Sequence, residues 1–109
     1  MAYNAIMPRA TLVTKRRMYF ADGSFVDMRM WSVSARVPPS AHEYKYSLVY
    51  IVNGERVIGY DNERGKGDHR HHRGVETFYT FRSIQRLLAD FLADVQKERS
   101  GSGADGQED

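Results

Sequence analysis

The stretch Tyr44-Lys45-Tyr46-Ser47-Leu48-Val49-Tyr50-Ile51-Val52-Asn53-Gly54-Glu55-Arg56-Val57-Ile58-Gly59-Tyr60 decides the fold. Its first nine residues are dominated by aromatic and β-branched types. Alternation places Tyr44, Tyr46, Leu48, Tyr50 and Val52 on one side of a strand. Asn53-Gly54 is the turn pair of a two-residue hairpin, because both residues tolerate positive φ. Arg56–Tyr60 is then the returning strand.

Working outward, the same grammar recurs. Leu12–Phe20 reads as a strand, Asp22-Gly23 as a turn, and Phe25–Val33 as a strand with Val26, Met28 and Met30 opposed to Asp27 and Arg29. Val37-Pro38-Pro39-Ser40 breaks the pattern. A fifth short strand is expected over Val75–Phe81. After it, Ile84, Leu87, Leu88, Phe91, Leu92 and Val95 form one apolar stripe at helical spacing. Ser83 is positioned as its N-cap, and Arg86 and Asp90 form an i,i+4 pair. The expected fold class is therefore α+β: an antiparallel sheet of four to five strands, packed by one C-terminal helix.

The chain has 109 residues, enough for one domain. Residues 1–98 are expected to form it. Residues 99–109, rich in Gly and Ser, are expected to be a disordered acidic tail. The last ten residues, Ser100–Asp109, hold Asp105, Glu108 and Asp109 and no basic residue, so the other 99 carry all 16 Lys and Arg against 11 acids. A basic body points to polyanionic or acidic partners. There is no cysteine, which excludes a disulfide scaffold, thiolate zinc sites and a cysteine nucleophile. No apolar run has the length of a signal peptide or of a membrane span, so no membrane association is expected and the cytoplasm is the expected compartment.

Tyr60–Gly74 stands apart as a polar loop between apolar strands. It carries His69, His71 and His72, with Arg64, Lys66, Arg70 and Arg73 among them. Histidine exchanges protons near neutral pH, and arginine binds two phosphate oxygens at once. Three chemistries fit these residue types. In metal-free RNA cleavage, His69 and His71 are acid and base while the cations hold the phosphate. In a metal site, the His69-x-His71 pair is completed by Asp61 or Asp68. In binding without chemistry, the basic loop holds a nucleic acid beside Tyr60, Tyr79 and Tyr50. Gly65-Lys66-Gly67 lacks the spacing of a nucleotide-phosphate loop. Trp31 is expected in packing, Met28 and Met30 in the core, and His42 is given no role.

Gly59-Tyr60-Asp61-Asn62, followed by Gly65-Lys66-Gly67-Asp68-His69-Arg70-His71, resembles the signature of the TumE family. The helix Ser83–Val95 is similar to that family's end. The resemblance spans Tyr44–Val95, with a looser fit over the N-terminal strands. It implies a growth-arresting toxin of a toxin–antitoxin module, neutralised by a cognate antitoxin. Carried onto matching positions, the candidate site is Tyr60, Asp61, Lys66, Asp68, His69 and His71, with His72 and Arg73 just beyond the signature.

Together these readings give a toxin acting as a metal-independent endoribonuclease with no cofactor. Its expected catalytic residues are His69, His71, Lys66, Arg70 and Asp68. Its expected substrate-binding residues are Tyr60, Asp61, Arg64, Arg73 and His72. The alternative is a non-catalytic inhibitor that binds nucleic acid or the ribosome through the same loop. Exposed strand edges also favour a homodimer or a strand-adding partner.

Overall fold

The computed structural model describes residues 10–34, 36 and 39–107. Met1–Arg9, Val37-Pro38 of the expected loop, and Glu108-Asp109 of the expected tail lie outside the described residues. The chain divides into two compact units, Met1–Tyr79 and Thr80–Asp109.

The first unit is one sheet of β1 (Ala10–Tyr19), β2 (Phe25–Val33), β3 (Tyr44–Val52), β4 (Glu55–Glu63), β5 (Gly67–His72) and β6 (Val75–Phe78). The six strands lie in chain order and every pair is antiparallel. The sheet thus has six strands where four to five were expected. The additional strand is β5, and β4 runs on to Glu63, so the segment read as a polar loop is largely a hairpin. It escaped detection because its alternation sorts polar residues from polar residues. Gly67, His69 and His71 are buried, whereas Asp68, Arg70 and His72 are partly exposed. Hydropathy sees no period there.

The turns follow residue chemistry. Asn53 and Gly54 take φ of 51° and 80°, as a two-residue hairpin with the right twist requires. Arg73-Gly74 repeats that geometry at 49° and 85° with an arginine where asparagine is usual, which hid the turn between β5 and β6.

Directly opposed residues share a face of the sheet. One face collects Val26, Met28, Met30, Tyr46, Leu48, Tyr50, Ile58 and Tyr60, all buried. Met28 and Met30 are thus core residues, as expected. The other face is mixed and partly exposed along β2 and β3, with Asp27, Arg29, Lys45 and Ser47 beside Phe25, Trp31, Val49 and Ile51.

The second unit is α1 (Ile84–Gln107), which extends into the segment expected as a tail. Ser83 caps it: its Oγ accepts from the Arg86 amide at 3.0 Å. Arg86 Nε donates to Asp90 at 3.1 Å. Of the apolar stripe, Leu87, Phe91 and Val95 are buried and Leu92 is exposed.

Candidate active site

The β4–β5 hairpin builds the site. Gly65, at φ 90°, turns the chain, and the Lys66 amide donates to the Glu63 carbonyl at 3.0 Å. Gly67, at φ 78°, starts β5 beneath Pro39; a Cβ there would stand 3.1 Å from the proline ring. The strand then sends His69 and His71 to the polar face, both 8% exposed.

Two carboxylates bracket this pair. Asp61 lies directly across from His69 in register, and its Oδ1 stands 3.5 Å from Nε2 of His71. Glu76 lies across from His71, and its Oε2 stands 3.6 Å from Nε2 of His69. Each acid therefore opposes one imidazole and reaches diagonally toward the other. His69 Nδ1 lies 3.2 Å from the Gly67 carbonyl, which can only accept. That contact puts a proton on Nδ1 and leaves Nε2 of the neutral ring as the basic nitrogen, facing Glu76. Lys66 Nζ is 3.1 Å from Glu76. The hydrogen bond from Lys66 holds the Glu76 carboxyl below its ordinary range, and the same bond raises Lys66. Phe78, 85% exposed, lays its ring 5.2 Å from that of His69. Among the described residues, no three His, Asp or Glu side chains converge as a metal site.

The opposite face of β5 carries a second cluster. Asp68 accepts from Ser40 Oγ at 2.5 Å and from Tyr46 Oη at 2.7 Å, and its Oδ2 meets His42 Nε2 at 2.7 Å. The Tyr44 amide donates to Nδ1 of His42 at 3.2 Å, so the proton of that ring is on Nε2 and is given to Asp68. The His42 ring also stacks on Tyr46, with centroids 6.0 Å apart. Burial, and then the hydrogen bond to Asp68, push the Tyr46 phenol far above its ordinary pKa, so it acts as a fixed donor. Asn62, fully buried, extends the cluster. Its amide nitrogen donates to the Tyr44 carbonyl at 2.7 Å, and its oxygen accepts from the Tyr46 amide at 3.0 Å. The Asn62 side chain thus continues the β3–β4 ladder past its last paired residues, Ser47 and Asp61.

The expected catalytic residues are accordingly divided. His69 and His71 share the polar face with Asp61, and Lys66 reaches the group from the turn. Asp68 and Arg70 occupy the other face, where Arg70 Nε donates to Tyr60 Oη at 3.2 Å and Tyr60 meets Tyr79 edge-on. His72 alternates to that face as well. Arg64 and Arg73 are exposed in the two turns. Sequence reasoning missed Glu76, Ser40, His42, Tyr46 and Asn62 as members of these clusters. Glu76 was discoverable by pairing a β6 strand against His71. The other contacts span 16–28 residues, beyond any local period.

A six-stranded antiparallel sheet with a C-terminal helix, carrying two buried imidazoles between two carboxylates, defines a small α+β protein with a strand-borne histidine–acid site. The chain belongs to the TumE toxin family, whose model, described as toxin TumE, matches residues 5–99. Membership of a toxin family implies a cognate antitoxin. No curated protein and no solved structure matches the chain significantly. Among the described residues, no helix is long and apolar enough to cross a membrane.

Proposed function

We propose that this toxin of a toxin–antitoxin module cleaves RNA by metal-independent acid–base catalysis at His69 and His71. The observation that carries the reading is the pairing of each Nε2 with a carboxylate at 3.5–3.6 Å on one face of β5. Alternate residues on a strand stand about 6.6 Å apart, a span that places two imidazoles on either side of one phosphate. Nε2 of His69 takes the proton of a ribose 2′-hydroxyl. The freed oxygen attacks the adjacent phosphorus, and the bond to the 5′-oxygen breaks. Protonated His71 gives its proton to that leaving oxygen, so the products are a 2′,3′-cyclic phosphate and a 5′-hydroxyl. Glu76 and Asp61 offset the positive charge on each ring when it is protonated. Lys66, at the rim, neutralises the non-bridging oxygens. In this reading Asp68 and Arg70 support the strand from its other face.

The test is cleavage of a mixed-sequence RNA by purified protein with and without EDTA. We expect cleavage to survive chelation and to fall by about 10²–10⁴-fold in His69→Ala, the usual worth of a general acid or base. Wild-type protein that binds RNA without cutting it would replace this reading with a non-catalytic nucleic-acid or ribosome inhibitor. Loss of cleavage on chelation would replace it with metal-dependent chemistry.

A further inference from the structure

The register extends the histidine face across the whole sheet. Asp61 stands opposite Ser47, Ser47 opposite Arg29, and Arg29 opposite Lys15. One strand position further along this face, Lys45 stands opposite Trp31. At this end the face carries Lys15, Arg17, Arg29 and Lys45, with Asp27 among them and Asp61 between them and His69. The residues that line an open concavity there include the charged Arg17, Asp27, Arg29 and Lys45 and, beside Trp31, the apolar Val49 and Ile51.

The cations are held in place. Arg17 and Arg29 both grip Asp27, at 2.7 and 3.0 Å, and each guanidinium keeps further N–H groups for a ligand. The Arg17 guanidinium also lies 4.5 Å from the centre of the Phe25 ring. Lys45 donates to the Asn62 carbonyl, which holds its ammonium at the seam between β3 and β4. Trp31 is half-buried among these charges, on the face away from the apolar core. Leu12 stands directly opposite it, and the half-buried indole keeps surface on which a nucleobase can stack.

We infer that the cationic face around Trp31, Arg29 and Lys45 is a subsite for single-stranded RNA, which leads the scissile phosphate onto His69 and His71. The inference rests on the ribonuclease reading for its direction. Charge complementarity and continuity with the histidine site select the occupant. Unpaired bases stack on aromatic side chains of a sheet while cations track the phosphates. The distance suits a short segment of strand, since three strand spacings, about 14 Å, separate β2 from β5. A duplex hides its bases and offers Trp31 nothing to stack on.

The experiment measures binding of a 2′-O-methylated single-stranded RNA, which cannot be cleaved, and of its duplex, to the full chain. Trp31→Ala is expected to weaken single-strand binding by roughly ten- to a hundredfold, with Trp31→Phe recovering most of it. Lys15→Glu, on the exposed β1 strand, is expected to weaken binding and flatten its salt dependence. Gln96→Ala, exposed on α1 and outside both the subsite and the histidine site, is expected to bind as wild type does. Unchanged affinity in both Trp31→Ala and Lys15→Glu would overturn the inference, as would capture of an acidic peptide by a face that ignores RNA. If the variants behave as expected but the wild type cuts no unmodified RNA, the ribonuclease reading fails and the subsite stands.

Discussion

Replacing Asp68 by alanine removes the acceptor that three side chains share. Tyr46 is 0% exposed and Ser40 6%, so neither hydroxyl gains water when its partner goes. A buried donor left without a partner costs about 1–3 kcal/mol. The Asn62 amide donates to Ser40 Oγ at 3.3 Å and so gives the Ser40 hydroxyl proton no new acceptor, whereas the His42 side chain, 13% exposed, reaches solvent. The Tyr46 and Ser40 losses are therefore felt most and the His42 loss least, giving a total of about 2–5 kcal/mol. For a domain of this size that is a drop in Tm on the order of 10–25 °C. Urea titration and thermal melting of Asp68→Ala measure it directly. Asp68→Asn keeps one acceptor oxygen and is expected to fall between wild type and alanine. A double-mutant cycle with Tyr46→Phe isolates the shared hydrogen bond, since neighbours in one network are non-additive. RNA cleavage, measured well below the variant's midpoint, is expected to persist, because Asp68 faces away from His69 and His71. A stability loss under about 0.5 kcal/mol, the range of an ordinary surface change, would refute the reasoning. So would loss of cleavage by a fully folded, undiminished protein.

Other perturbations have equally definite outcomes. Gly67→Ala puts a Cβ at φ 78° and 3.1 Å from the Pro39 ring, and a cost of about 1–3 kcal/mol in denaturant unfolding is expected. Ser83→Ala removes the cap of α1 and is expected to lower stability by about 1 kcal/mol, read as lost helicity at the N-terminal turn by hydrogen exchange. Burial pushes the Asp27 carboxyl up, but its bonds to Arg17 and Arg29 together outweigh this and hold it below its ordinary value. Its contribution is therefore present above the unfolded carboxylate range and lost as pH falls through the lowered folded value. Asp27→Asn should flatten that acid limb of stability and cost at most about 1 kcal/mol at pH 7, because its partners are exposed.

The fold was legible where apolar residues set the period. Phe25–Val33 and Tyr44–Val52 match β2 and β3 residue for residue, and the Asn53-Gly54 turn and the Ser83 cap stand where their chemistry places them. β5 was illegible because histidine on one side and Asp68, Arg70 and His72 on the other give hydropathy nothing to alternate. The candidate site was half legible. Spacing alone puts His69 and His71 on one side of an extended segment, and the quoted signature holds both. That alternation also parts them from Asp68 and Arg70, which a loop would have let converge. Glu76 and the Ser40–His42–Tyr46 group are products of strand pairing and of the β2–β3 connection, which no local pattern encodes.

The chain-order sheet has a kinetic consequence. Every strand pairs with its neighbour in sequence, so each closure spans a short loop and the sheet zips from hairpins with little entropy to overcome. The histidine–acid quartet belongs to this fast process, since its members lie between residues 61 and 76. The Asp68 clasp does not. It joins Ser40 and His42 to a strand 26–28 residues later, and it can close only when the β3–β4–β5 meander is already in place. Contacts that form after the barrier leave folding rates alone and govern how fast the molecule opens. Substitutions at Asp68, Ser40 and His42 are therefore expected to speed unfolding with little change in the folding rate, a split that a chevron plot reads directly.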